Sequence, residues 1–225
     1  MHIVLAIGIL LAVVFGPQMW AKHVLRRYSK LQERIPGSGG DLARHLLTRA
    51  RLEDVTVEAT ELGDHYDPDA RAVRLSEEVL ESKSLTAIVV AAHEVGHAIQ
   101  DHIGYWPLRL RSQLVTVGTV AERIGSTLLV AMPFIVMLAP GRLGLLTLIL
   151  GLMVLVVPIL IHVATLPVEF DASFHRALPI LAMGYIPESE LPAARRILLA
   201  CALTYVAQAL VTLLNFWRWI AILRR

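Results

Sequence analysis

Apolar positions crowd both ends of this chain, polar positions fill its middle, and the spacing of each predicts the elements. Ile3 to Phe15 is a continuous apolar run closed by Gly16-Pro17, and Lys22, Arg26, Arg27, Lys30 and Arg34 follow it, the pattern of a helix continuing as a basic amphipathic segment. Pro36-Gly37-Ser38-Gly39-Gly40 breaks the chain, and Asp41 can cap a second helix over 42–50 with Leu42, Leu46 and Leu47 on one face. Val55 to Ala59 alternates and reads as a strand; Asp64 to Leu75 reads as a hairpin turning at Asp67-Pro68-Asp69. Ser76 with Glu77 and Glu78 starts a short helix that ends near Ser82-Lys83-Ser84. From a Ser84 cap, Leu85 to Ala92 leads into a longer helix that Gly104 should stop.

Beyond it, Leu108 to Arg123 is amphipathic, Ile124 to Ala139 apolar, Pro140 to Gly144 a tight turn, and Leu145 to Leu166 apolar apart from Pro158 and His162. Pro167, with Thr165 as cap, suits the first turn of another helix. Ile197 to Leu223 closes the chain as an apolar run, with Trp217 and Trp219 near its end.

Composition sharpens this picture. Hydrophobic residues make up 56% of the 225 and charged ones 18%, with a mean hydropathy of +0.60. Apolar runs of this length predict a transmembrane anchor at 1–20, a transmembrane hairpin at 124–166 and a C-terminal transmembrane helix at 197–225, leaving polar segments at 21–123 and 167–196. The basic residues after the first run place the polar domain on the cytoplasmic side. A net charge of +2 gives no reason to expect a nucleic-acid partner. The single cysteine, Cys201, excludes a disulfide framework and a cysteine-rich metal site, and reads as packing.

The chemistry sits in the helix after Ser84. His93-Glu94-Val95-Gly96-His97 places two imidazoles four residues apart, on one helical face, where both can reach one Zn²⁺. Glu94 lies beside the metal, where it can take a proton from a water that the metal activates. A hairpin at 124–166 would return the chain to the side it left and deliver Glu169 as a third ligand, leaving a position open for water. His65 beside a turn, His102 on another face, and His45 and His23 in basic segments read as surface side chains.

Ala91 to Asp101 and Pro167-Val168-Glu169-Phe170-Asp171-Ala172-Ser173, with Asp64-His65-Tyr66-Asp67-Pro68 and Leu75-Ser76, resemble the YugP family of bacterial neutral zinc metallopeptidases over nearly the whole chain. More distantly the chain is similar to the HtpX and CAAX prenyl protease group, whose third-ligand motif is Glu-x-x-x-Asp; Ser173 stands where that Asp would be. The resemblance implies a mainly α membrane protein whose transmembrane helices carry a small α+β zincin-like domain with a short β-hairpin. It would sit in the bacterial inner membrane as a multi-pass protein. It also implies an endopeptidase with one Zn²⁺ per chain on His93, His97 and Glu169, and Glu94 as general base. Protein or peptide substrates, membrane proteins among them, and the lipid bilayer would be its partners. By analogy with related metallopeptidases, the strand Ala72-Val73-Arg74-Leu75 would bind an extended substrate. Asp171 could hydrogen-bond a ligand histidine, and Arg176 or His175 could stabilise the oxyanion.

Two other classes fit parts of the sequence. A small transporter would use His162 as an intramembrane ionisable group, and an inactive zinc-binding scaffold would recruit membrane partners. The presence of Glu94 argues against the scaffold, because a structural metal site needs no base.

Overall fold

The computed structural model describes residues 2–32, 34–138, 141, 146, 157–158 and 160–223. Helix α1 (His2–Arg27) leads through an irregular segment to α2 (Gly39–Arg49). The α2 cap is Ser38 rather than Asp41: Ser38 Oγ accepts from the Asp41 N–H while the Asp41 carboxylate accepts from the Ser38 N–H, a reciprocal capping box. Three short strands follow, β1 (Thr56–Ala59), β2 (His65–Asp67) and β3 (Ala72–Leu75). The β2–β3 turn is held by Asp67 Oδ1, which accepts from the N–H groups of Asp69 and Ala70, as the Asp-Pro-Asp sequence predicts.

Strand order is β1-β3-β2, with β1 parallel and β2 antiparallel to β3. The strand expected to bind substrate, Ala72-Val73-Arg74-Leu75, is therefore the middle one. Both its edges are already paired, so it has no free backbone row to offer a peptide. Ala72, Val73 and Leu75 are buried, and Arg74 is tied to Asp67 and Glu58 at 2.6 and 3.3 Å.

Helix α3 (Glu77–Glu81) precedes α4 (Leu85–His102), which begins at the expected cap, with Ser84 Oγ accepting from the Ala87 N–H. It ends at Gly104, whose φ of +65° lies in the left-handed region. There the N–H groups of Gly104 and Tyr105 turn back to the carbonyls of Asp101 and Gln100 and satisfy the last turn. Every residue of α4 from Leu85 to Ala98 is buried, because α2, α3, β3 and the later helices pack around it. Full burial of a side chain such as Val89 or Val95 stabilises by about 1.5–3 kcal/mol, so this helix anchors the core.

Helix α5 (Trp106–Leu138) runs straight through the expected boundary at Arg123. Of the turn expected at Pro140–Gly144 and the run at Leu145–Leu166, residues 140, 142–145, 147–156 and 159 lie outside the described residues. Chain 160–185 forms α6, which is α-helical to residue 170, then widens into two π-helical turns, Asp171–Ala177 and Leu181–Tyr185. Pro167 lies inside this helix, not at its start, and the Thr165 hydroxyl donates to the Ile161 carbonyl at 2.7 Å instead of capping. A 3-10 turn at Glu188–Glu190 leads into α7 (Leu191–Leu223).

Among the described residues, no helix is long and apolar enough to cross a membrane. This overturns the transmembrane segments expected at 1–20 and 197–225 and the first limb of the one at 124–166, most of whose second limb lies outside the described residues. The multi-pass inner-membrane location, with its cytoplasm-facing domain, falls with them. An apolar helix face can be covered by other helices, and part of these faces is, although Leu5, Leu11 and Met19 of α1 stay exposed. Helix α1 packs along α7, burying Val14, Ala21 and Val24 on one side and Ala194, Ile197, Leu198, Ala200 and Ala202 on the other. Helix α5 places Arg109 and Arg111 in its opening turns. His162, the group on which a transporter reading would rest, is half-buried, and burial lowers its imidazole below the ordinary histidine value.

Candidate metal centre

The spacing of α4 sets His93, His97 and Gln100 on one face, at i, i+4 and i+7. All three are buried, and Gln100 and Glu169 are among the largest fully buried side chains of the protein. Polar groups so placed must find partners, and these find one another.

Helix α6 brings Glu169 to this face. Oε2 of Glu169 lies 3.2 Å from His93 Nε2 and 3.5 Å from His97 Nε2. The approach requires Gly96: a Cβ there would stand 2.9 Å from the Ala172 carbonyl oxygen in the π turn, closer than side chains sit to backbone. That wide turn directly follows Glu169 and packs against α4.

The hydrogen bonds behind the histidines decide which ring nitrogens face Glu169. The Gln100 amide nitrogen donates to the Val168 carbonyl at 2.9 Å and to Asp171 Oδ2 at 2.8 Å. A carbonyl can only accept, so the amide orientation is fixed and Gln100 Oε1 must face His97 Nδ1, 2.9 Å away. His97 therefore carries its proton on Nδ1 and turns the Nε2 lone pair forward. Ser173 does the same for His93: its hydroxyl donates to the Leu198 carbonyl at 3.3 Å and accepts from His93 Nδ1 at 3.1 Å. Both rings thus aim an acceptor nitrogen at one carboxylate.

This donor set fits zinc. One nitrogen or oxygen from each of His93, His97 and Glu169 lies within 4.8 Å of the others. Tetrahedral zinc with bonds of ~2.0–2.1 Å separates its ligands by ~3.3 Å, close to the distances from Glu169 to the histidines. Glu169 Oε1 is buried without a hydrogen-bond partner, an orphan a cation would satisfy. Burial alone would raise the Glu169 carboxyl; when the rings are protonated and no cation is bound, His97 and His93 outweigh it and hold it below the ordinary carboxylate range. Glu94 goes the other way. Burial pushes it up to about 7, with Glu169 and Asp64 adding to the rise and His93 and Arg111 opposing it.

A cleft of about 270 Å³ opens in front of this face. Tyr66, Pro68 and Asp69 form one wall, Leu108, Arg111, Ser112 and Val115 of α5 the other, and His97 reaches it from α4. Tyr66 is pinned by donating to Asp101 Oδ2 at 2.9 Å, and burial together with that bond raises its phenol above the usual range. Arg111 Nη1 lies 3.8 Å from Glu169 Oε1.

The other expected residues lie behind the site. Asp171 touches neither histidine; Gln100 stands between, so Asp171 acts on His97 through that amide. Arg176 Nε donates to Asp171 at 2.7 Å, with its guanidinium over the Tyr105 ring, and His175 is 77% exposed beside Asp171. Neither is an oxyanion group by position. His65 bonds the Gly63 carbonyl and His45 the Tyr185 hydroxyl, while His23 and His102 are exposed. The contacts of Gln100 and Ser173 were missed, though each had a signal: Gln100 continues the His93–His97 stripe, and Ser173 lies four residues after Glu169.

The family described as "Putative neutral zinc metallopeptidase" matches residues 3–224. A relative from Bacillus subtilis (strain 168), named "Putative membrane protease YugP", is 38% identical over 214 residues, covering 94% of this chain and 92% of its own. No solved structure matches. These matches carry the resemblance to YugP and leave the more distant one, to the HtpX and CAAX group, without support. The buried two-histidine, one-carboxylate centre and the family match along nearly the full length agree: the chain belongs to the YugP-type family of neutral zinc metallopeptidases.

Proposed function

We propose that this chain is a gluzincin-like endopeptidase in which His93, His97 and Glu169 hold one zinc ion and Glu94 is the general base. When bound, zinc supplies a Lewis acid that polarises a peptide carbonyl and acidifies water. The chain's residues do the rest. Ser173 and Gln100 hold the rings so that both Nε2 atoms face Glu169. Glu94, buried and poised near 7, accepts a proton from the attacking water and returns it to the departing amine as the C–N bond breaks. The cleft between Tyr66–Asp69 and α5 receives the peptide. Strand β2, with β3 on one side only, offers the free edge nearest that cleft.

The observation that carries this reading is that Glu169 meets both Nε2 atoms while both Nδ1 atoms are engaged from behind. The experiment is hydrolysis of an unstructured protein substrate by the purified, zinc-loaded chain and its Glu94→Gln variant. Turnover should fall by about 10²–10⁴-fold with bound zinc unchanged. Wild-type turnover in the variant, or a wild-type chain that cleaves nothing, contradicts the reading.

A further inference from the structure

Resting on that reading, we propose that Asp69 selects substrates: its carboxylate takes the cationic head of a lysine or arginine side chain close to the scissile bond. Behind this stands a charge that the β2–β3 turn places in the cleft and does not itself use.

That turn divides the work of its two acids. Asp67 is spent, with Oδ1 accepting from the Asp69 and Ala70 N–H groups at 2.9 and 3.0 Å and Oδ2 paired with Arg74 at 2.6 Å. Asp69 gives the turn only its backbone N–H, and among the described residues no hydrogen bond or ion pair takes its carboxylate. An exposed turn acid of this kind is ordinarily just a solvated side chain. This one, however, lines the cleft of about 270 Å³ that His97 also reaches. The segment that carries it is tied on both sides, Tyr66 to Asp101 at 2.9 Å before it and Arg71 to Asp54 at 2.7 Å after it. A carboxylate held in place before binding costs little entropy when a cation arrives.

Charge and shape then choose the occupant. Apart from His97, read here as a metal ligand, the charged groups on the cleft walls are Asp69 and Arg111. Arg111 is set against Glu169 at 3.8 Å, so Asp69 is the charge that remains for substrate. Pro68 beside Asp69, and Leu108 and Val115 opposite, give the cleft apolar surface. Lysine and arginine match such walls, because they lay their methylenes along apolar surface and keep the charged head at a polar edge. An acidic side chain in the same place would be repelled, and a short neutral one would leave the carboxylate unanswered.

The test uses the full, zinc-loaded chain. Mass spectrometry first maps its cuts in an unstructured protein, where lysine and arginine should recur at one fixed offset from the cut bond. A peptide built on such a site is then compared with one in which norleucine replaces lysine, which keeps the stem and removes the charge. Wild type should prefer lysine by about 5–30-fold in kcat/KM, between the worth of an exposed ion pair and that of a charge-assisted hydrogen bond. Asp69→Asn suits the same turn position and should bring that ratio to within about twofold of unity. In Asp69→Lys the ratio should drop below unity, and a glutamate peptide should overtake its glutamine counterpart. Reading ratios separates recognition from folding, since a merely disturbed turn lowers kcat/KM for every peptide alike. Should Asp69→Lys not fold, Asp69→Asn decides alone. Cuts with no fixed lysine or arginine, or a wild-type ratio kept in Asp69→Asn, overturn the assignment. A wild-type chain that cleaves nothing sinks the proposed function itself; an active chain indifferent to the substrate charge sinks Asp69 alone.

Discussion

Ser173 Oγ accepts from His93 Nδ1 at 3.1 Å and donates a hydrogen bond to the Leu198 carbonyl of α7 at 3.3 Å, so one hydroxyl joins three helices and sets one imidazole. Ser173→Ala removes that support without touching any of the three residues proposed to hold zinc. Zinc affinity should drop by about 10–100-fold, and competition against a calibrated chelator measures it. Unchanged affinity would mean that packing alone orients His93.

Gln100 carries more. Its amide serves Val168, Asp171 and His97 at once, at zero exposure. Gln100→Ala strands a buried carbonyl and an imidazole N–H, at a cost of about 1–3 kcal/mol for each unsatisfied group. Gln100→Glu is the informative variant. A carboxylate can still accept from His97 but cannot donate to Val168, so its melting temperature should stay below wild type. Full recovery by glutamate would show that the tautomer argument is mistaken.

Gly96 is the point of contact between α4 and the π turn that follows Glu169. Gly96→Ala would favour an isolated helix by about 1 kcal/mol. Here the added methyl meets the Ala172 carbonyl and must push α6 away. We expect lower stability and weaker zinc binding together, by thermal melting and chelator competition. A more stable variant with normal zinc would place the helices farther apart than described.

How much of this was legible in the sequence depends on range. The α4 cap at Ser84, its stop at Gly104 and the Asp67 turn are local, and each residue carries its own stereochemical signal. His93, His97 and Glu169 could be read because metal chemistry restricts both residue type and spacing. The β1-β3-β2 order, with the expected substrate strand in the centre, is set by long-range pairing that alternation does not encode. The apolar runs misled for a related reason: the pattern of α1 and α7 is the same whether helices or lipid cover it, and here the two helices pack on each other along part of their length. Asp171 was given the role that Ser173 and Gln100 perform, because a carboxylate draws notice where a serine and an amide do not.

Removing the metal should expose the cost of the site. Without a bound metal ion, Glu169 Oε1 stays buried without a hydrogen-bond partner, and Glu94 remains buried as well. An ion that binds only the folded chain stabilises it by ~4 kcal/mol at a thousand times its dissociation constant. A chelator should therefore lower the melting temperature, and added zinc should restore it in a concentration-dependent way. A melting temperature indifferent to both would argue against a centre coupled to folding.

The central claim is that Glu169, carried in by α6, completes a zinc site with His93 and His97. Metal analysis of purified Glu169→Ala, beside Asp171→Ala and His175→Ala, tests it most directly. The account predicts that Glu169→Ala loses zinc, that Asp171→Ala weakens its binding through Gln100, and that His175→Ala retains one zinc per chain. Stoichiometric zinc in Glu169→Ala, with loss in Asp171→Ala or His175→Ala, would contradict it.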